Sequence, residues 1–273
     1  MKPGRAIPVI RGRQPEVWEG EYKEFDLYES GRADAIAKDV AGAEATADSW
    51  LEIVRQFEPA AKPATDRLLA DPELAARIHG SVLDVGAGSC VLTAELSKRR
   101  DVSQVFAVDL SERFLTTTGA SVLAHCEAMT DKVTFVATDF NHLPLKAGSI
   151  DAAFIFAAIH HSLSPIKTIQ EVARVVKPGG TIFILENPHS VMGIRRSRQR
   201  MLDLSSQNTE IAYTRAELEY LIANANVGAL DVRRWDVLSR PGPRRWVRHV
   251  LRWCGLEDVL LNPPNYLFII TRR

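Results

Sequence analysis

The stretch Val82-Leu83-Asp84-Val85-Gly86-Ala87-Gly88-Ser89-Cys90 constrains this chain more than any other, because a short apolar run passes directly into two glycines one residue apart. Glycines there let the backbone turn sharply and approach a ligand that side chains would block. The pattern reads as a nucleotide-cradling turn. Alone it is weak evidence, since such turns recur in unrelated nucleotide enzymes and in plain tight turns. The third glycine of the dinucleotide pattern is also missing.

The segments that follow decide the matter. A second strand, Val105 to Val108, ends in Asp109, 23 residues after Gly86, which is the length of one β-α-β unit. An acid there can accept hydrogen bonds from both hydroxyls of a ribose. A third, Val133 to Ala137, runs into Thr138-Asp139-Phe140, where an acid and an aromatic ring suit an adenine amino group and its ring face. A fourth, Ile150 to Phe156, leads to His160-His161; a helix from Pro165 to Val176 then stops at Lys177-Pro178-Gly179-Gly180. The fifth, Thr181 to Leu185, ends in Glu186. Asp84, Asp109, Asp139, His160 and Glu186 thereby fall at the carboxyl edge of a parallel sheet, where open α/β sheets bind ligands.

The order and spacing of these segments resemble the class I S-adenosylmethionine-dependent methyltransferase family, particularly its small-molecule members with paired histidines after the fourth strand. The motifs that carry the resemblance are Leu83 to Gly88, Asp109, Asp139-Phe140, the Leu143 to Leu145 run, Asp151 opening strand four, and the Lys-Pro-Gly-Gly turn. It spans about residues 75 to 190. It implies a Rossmann-like α/β fold with a seven-stranded, mostly parallel sheet, an antiparallel last strand and an N-terminal helical cap. It also implies S-adenosylmethionine as cofactor, contacted by Asp84, Gly86, Ala87, Gly88, Asp109, Leu110, Asp139, Phe140 and Phe156. Catalysis would be metal-independent, by in-line transfer of the methyl group to a small-molecule acceptor such as a natural product, a quinone or a lipid-like compound.

Asp84 has two readings, one that fixes the glycine turn through hydrogen bonds and one beside the methionine amino group. Asp151 reads as structural, because it opens its strand on the far edge. His160 and His161 are the candidate catalytic residues, imidazole being suited to proton removal near neutral pH. Adjacent residues leaving a strand point in different directions, so at most one is expected in the pocket. The competing reading makes both structural, since methyl transfer to an activated nucleophile needs only proximity and alignment. His189 and Glu186 are alternatives. No Asp, Asn or His group has a spacing that suits a divalent cation, so no metal is expected.

Two rivals remain at this level. A nicotinamide oxidoreductase would use the same edge but needs the missing third glycine. A catalytically silent S-adenosylmethionine-binding protein would keep the glycines and Asp109. Neither the acceptor, the atom methylated nor the oligomeric state is readable.

Residues 1–75 read as a leader and a helical cap, with an aromatic segment Trp18 to Tyr28 and helices near 33–40, 46–57 and 64–69. Residues 76–273 read as the core, interrupted by insertions at 187–208 and 239–265. The three cysteines, Cys90, Cys126 and Cys254, make neither a disulfide framework nor a zinc site. With no signal peptide or apolar spanning run, a soluble protein of the reducing cytoplasm is expected. The overall charge is zero, yet residues 187–273 carry 14 basic against 8 acidic side chains. Nucleic acid is a poor partner for a neutral chain without interleaved aromatics. The basic third reads first as a solvated surface, then as a site for an anionic small acceptor, with contact to a membrane surface as the lesser alternative. Arg195, Arg196, Arg198 and Arg200 lie in the first insertion. In the second, Trp246, Val250 and Trp253 form one helical stripe expected to pack on the sheet, with arginines opposite.

Overall fold

The computed structural model describes residues 7–12, 61–162, 164–195, 198, 211–235, 245–261 and 265–273. The aromatic segment at 18–28 and the helices expected near 33–40 and 46–57 lie outside these residues, as do Arg196 and Arg200.

Each apolar run forms a strand: β2 (Gly80–Val85), β3 (Val102–Asp109), β4 (Val133–Ala137), β5 (Ile150–Phe156) and β6 (Val176–Glu186). These runs are nearly continuous in Val, Ile, Leu and Phe because parallel strands covered on both faces have no wet side. A shorter strand, β1 (Val9–Arg11), lies before them, and β7 (Gly228–Arg234) and β8 (Tyr266–Arg272) close the chain. The sheet order is β1-β4-β3-β2-β5-β6-β8-β7, with β8 antiparallel to both β6 and β7. The expected doubly covered, mostly parallel sheet is present, with eight strands where seven were expected. The extra one comes from the leader: Val9 to Arg11 pair in parallel with Phe135 to Ala137, and Arg11 donates two bonds to the Glu112 carboxylate, at 2.7 and 2.6 Å. Three residues between Pro8 and Gly12 give no period to read.

Alternation along the strands divides the core into two layers. On one face Val82, Phe135, Phe154 and Phe183 meet Leu68 of helix α1 (Ala61–Ala70) and Leu92 and Leu96 of α2 (Val91–Ser97). The Phe154 and Phe183 rings stack with centroids 5.2 Å apart. On the other face Leu83, Val108, Ile155 and Ile184 meet Ile169 and Val172 of α3 (Pro165–Val175) and Leu218 and Ile222 of α4 (Arg215–Ala225). Thr214 and Glu217 form a capping box on α4.

Three expectations are corrected. The Lys177-Pro178-Gly179-Gly180 turn lies inside β6 as a bulge: Val176 pairs with Ile150 and Thr181 with Ala152, so extra residues loop out. Strand β7, for which the sequence suggests Leu230 to Leu238, starts at Gly228 and its described part ends at Arg234; residues 236–238 are not described. In helix α5 (Arg245–Trp253) the described part of the stripe is not buried: Val250 is 48% and Trp253 88% exposed, while the Trp246 side chain lies outside the described residues. The helix packs on the short α6 (Glu257–Leu260), which is too small to cover it. Among the described residues no helix is long and apolar enough to cross a membrane.

Asp151 fastens the amino edge of the sheet. Its carboxylate accepts from Ser81 N–H at 2.9 Å and from the Lys177 ammonium at 2.6 Å. It also closes over Gly80, whose φ of +63° and lack of Cβ permit the approach. Burial opposes ionisation of this carboxyl, but the bonds from Lys177 and Ser81 outweigh it and hold the group below the usual carboxylate range. Asp151→Ala should cost about 1.5–3 kcal/mol in urea denaturation, the scale of a charge-assisted hydrogen bond. Because the folded value is depressed, the stabilisation is complete above the unfolded pKa of about 3.9 and is lost as pH falls through the folded one. The loss of stability on acidification should therefore be shallower in the variant; an identical acid limb would mean that Asp151 contributes nothing through its charge.

Candidate active site

Strand β2 ends in the glycine turn, and the turn is sewn to β3. Gly86 and Ala87 N–H both donate to Val108 O at 2.9 Å. Gly88 N–H donates to Asp109 Oδ2 at 3.1 Å, and Ser111 N–H to Oδ1 at 3.0 Å. Asp109 is buried, so its carboxylate fixes the bend from both sides. Asp84 is buried too and accepts from the Thr93 hydroxyl at 2.6 Å, tying β2 to α2. Gly86 adopts φ +71°, and a Cβ there would collide with the Ala158 side chain and lie 3.5 Å from Phe140 Cζ. Phe140 and Ala158 therefore converge on the turn, and only a residue without a side chain fits between them.

Asp139 and Phe140 stand at the next strand end, where they behave differently. Asp139 Oδ1 accepts from Asn141 N–H and Nδ2, at 3.0 and 3.1 Å, and Oδ2 lies 2.9 Å from His142 Nδ1. The carboxylate thus organises its own loop while the neighbouring ring reaches Gly86. Helix α3 clamps that loop: Leu143 N–H donates to Glu171, and Arg174 donates to Leu143 O and Leu145 O, at 2.9, 2.9 and 3.0 Å. Burial raises the Glu171 carboxyl, but Arg174 and Leu143 pull it further down, below the usual range. Ala87, Leu110 and Phe156 lie along the same edge. Ala87 is buried, Leu110 half-buried, and Phe156 meets Phe154 edge-on at 5.9 Å.

The histidines follow a tight bend. Ala157 takes φ +48° while its N–H donates to Leu185 O at 2.8 Å, and the chain then enters a one-turn 3-10 helix, Ile159–His161. Strand alternation no longer applies within a helical turn, so the two rings lie against each other with centroids 4.2 Å apart. His160 Nδ1 is 3.0 Å from Glu186 Oε2 and 3.3 Å from Oε1. Glu186 is buried, and its Oε1 also accepts Ile159 N–H at 2.9 Å. Glu186, read from sequence only as an alternative, is thus the partner that orients His160.

Sequence reasoning missed three neighbours. Ala158 and Thr93 are small residues without a chemical signature. Tyr213 comes from a distant segment: Ile211 N–H donates to His160 O and His189 N–H to Tyr213 O, both at 2.8 Å. Burial pushes the Tyr213 phenol up, and the Glu186 carboxylate pushes it further. Only the Thr214 capping box hinted that an ordered element began there. Of the insertion arginines, Arg198 donates to Glu217 at 2.7 Å and to Ala212 O at 3.2 Å, which commits it to the fold. Among the described residues no group of His, Cys, Asp or Glu could hold a metal ion.

Comparison with known proteins agrees with this geometry. A family model described as a methyltransferase domain matches residues 83–184. A ubiquinone/menaquinone biosynthesis C-methyltransferase of Syntrophotalea carbinolica is 32% identical over 44% of this chain and 49% of its own length. The 27-O-demethylrifamycin SV methyltransferase of Amycolatopsis mediterranei is 28% identical over 78% of this chain and 75% of its own. The chain spans less than half the length of the first curated relatives it matches. A Haloferax volcanii putative methyltransferase, solved with the Trm112 methyltransferase activator, shares the fold with a TM-score of 0.60 at 20% identity, covering 92% of this chain and 98% of the other. The region from the glycine turn through most of β6 thus matches a methyltransferase domain, and the sheet is shared with solved methyltransferase structures.

Proposed function

We propose that this protein transfers a methyl group from S-adenosylmethionine to an oxygen of a small-molecule acceptor, with His160 as general base. The observation that carries the reading is the His160–Glu186 pair, which lies on the same sheet edge as the Gly86 to Gly88 turn. A hydroxyl acceptor must lose a proton as its oxygen bonds to carbon, whereas an amine with a free lone pair attacks without a base. A buried carboxylate committed to an imidazole serves an acceptor that must lose a proton, as a hydroxyl must, and not an amine that attacks through a free lone pair.

The residues fit the cofactor. Gly86, where Ala158 and Phe140 leave no room for a side chain, keeps the turn tight for the backbone approach that the cofactor needs, and Asp109 takes the ribose hydroxyls while holding the turn. Phe140 provides a ring face for adenine, and Asp139 sets the loop that presents it. Asp84, Ala87, Leu110 and Phe156 line the remainder of the cleft. Bound S-adenosylmethionine would supply a methyl group already made electrophilic by its sulfonium. The chain's own task is alignment and proton removal. Glu186 accepts the Nδ1 proton of His160, which leaves the basic lone pair on Nε2 and stabilises the imidazolium that forms. Nε2 would take the proton that the acceptor hydroxyl gives up as its oxygen receives the methyl group.

The relatives act on chemically different acceptors by name, a quinone precursor in one case and a rifamycin in the other. The acceptor proposed here is a hydroxyl-bearing natural product or quinone-like compound.

S-Adenosylhomocysteine should raise the melting temperature while NAD does not, and Asp109→Ala should weaken its binding by about 1.5–3 kcal/mol in calorimetry. Undiminished affinity in the variant would take Asp109 away from the ribose. His160→Ala should lower kcat about 10²–10⁴-fold with S-adenosylmethionine affinity unchanged, and remove the limb of the pH–rate profile where activity falls on acidification. Glu186→Gln, which keeps an acceptor but not the charge, should lower kcat while shifting that limb. Turnover within a few-fold of the parent for both variants at every pH would leave alignment as the whole of catalysis. Cofactor binding without transfer to any member of an acceptor panel would identify a silent binding protein.

A further inference from the structure

Strands β4 and β5 end in separate loops, one presenting Phe140 and the other carrying His160, and a single buried hydroxyl lies between them. Thr168, near the start of α3, is fully buried. Its hydroxyl is 2.7 Å from the Ser162 hydroxyl and donates to Asn141 Oδ1 at 3.0 Å. Ser162 is buried too and ends the one-turn helix of His160, where its N–H donates to Ile159 O at 3.1 Å. Asn141 follows Phe140 directly.

Donor and acceptor capacity fixes the direction of this chain. The Asp139 carboxylate only accepts, so Asn141 turns its amide nitrogen to it, at 3.1 Å, and its oxygen to Thr168. Thr168 has one proton and gives it to Asn141, which makes Ser162 the donor to Thr168. Ser162 Oγ in turn accepts Ser164 N–H at 3.1 Å. Three polar side chains thus run head to tail from the histidine turn to Asp139, and each bond polarises the next. Lys167, Glu171 and Arg174 of α3 also grip the Phe140 loop, but their bonds end on His142, Leu143 and Leu145. Those of Thr168 continue to the turn.

We propose that Thr168 is a positioning residue: through Asn141 and Ser162 it couples the loop that receives adenine to the turn that carries His160, so that bound cofactor orders this turn before the acceptor arrives. The inference rests on the cofactor site and the role of His160 proposed above. Ordering one end of such a chain reduces the conformations open to the other, which is coupling without a large displacement.

Hydrogen–deuterium exchange of the full chain, with S-adenosylhomocysteine as probe, tests this without an acceptor. The ligand should slow exchange at the amides of Asn141, His142 and Leu143, and also at those of His161 and Ser162, by at least about fivefold. In Thr168→Val, which keeps the shape and lacks the hydroxyl, the loop should keep its protection while the gain at His161 and Ser162 falls below about half. Thr168→Ser should restore that gain even though the lost methyl lowers the melting temperature, whereas a role in packing alone would rank the two variants the other way. Should Thr168→Val fold poorly, Ser162→Ala removes the same bond from the other end and should give the same loss. Full gain at the turn in both variants, or a parent protected in the loop and not at the turn, overturns the inference. Failure of the parent to bind S-adenosylhomocysteine removes the cofactor site and this inference with it, while turnover undiminished in His160→Ala removes only the base and leaves the coupling standing.

Discussion

The carboxylate of Asp109 is the constraint on which the site depends. Two left-handed glycines in sequence would leave the end of β2 without a defined path, because glycine has the largest backbone freedom to lose. Bonds from Gly88 and Ser111 to one buried acid, with those from Gly86 and Ala87 to Val108, set that path. They also join the first β-α-β unit at its carboxyl end. The remaining strand ends are then positioned by ordinary sheet register, with β2 pairing β3 on one side and β5 on the other.

Much of this was legible before any coordinate. Strands buried on both faces declare themselves as unbroken apolar runs, so β2 to β6 and the sheet edge that collects Asp84, Asp109, Asp139, His160 and Glu186 could be read directly. What stayed hidden belongs to two kinds of contact. Close approaches of small residues, such as Ala158 over Gly86, leave no mark in composition. Pairings between segments far apart, such as Ile211 with His160 or β1 with β4, require the fold to be known first. The expectation that His160 and His161 diverge failed because it extended strand geometry one bend too far, past Ala157 into a helical turn. The expectation that Trp253 packs inward failed because an amphipathic pattern states which face is apolar and not what covers it.

The same edge shows two ways of using a carboxylate. Asp139 spends its oxygens on the adjacent Asn141 and His142, a local loop whose shape α3 enforces through Glu171 and Arg174. Glu186 reaches across to the neighbouring strand end, holding Ile159 N–H with one oxygen and the His160 ring with both. The first arrangement shapes a surface. The second sets the tautomer and orientation of a titratable ring, and buried polar groups so committed allow little rotation.

The short β1 has a consequence for how the protein behaves in company. Val133 to Ala137 form a five-residue apolar strand, and without Val9 to Arg11 alongside they would present a row of unsatisfied amides and carbonyls to solvent. Such an exposed edge is a template for strand addition by another chain, the first step of aggregation and domain swapping. Three residues from the leader, secured by the Arg11–Glu112 clamp, therefore act as an edge guard. Trimming the chain to residues 76–273 would leave the glycine turn intact and make the protein sticky.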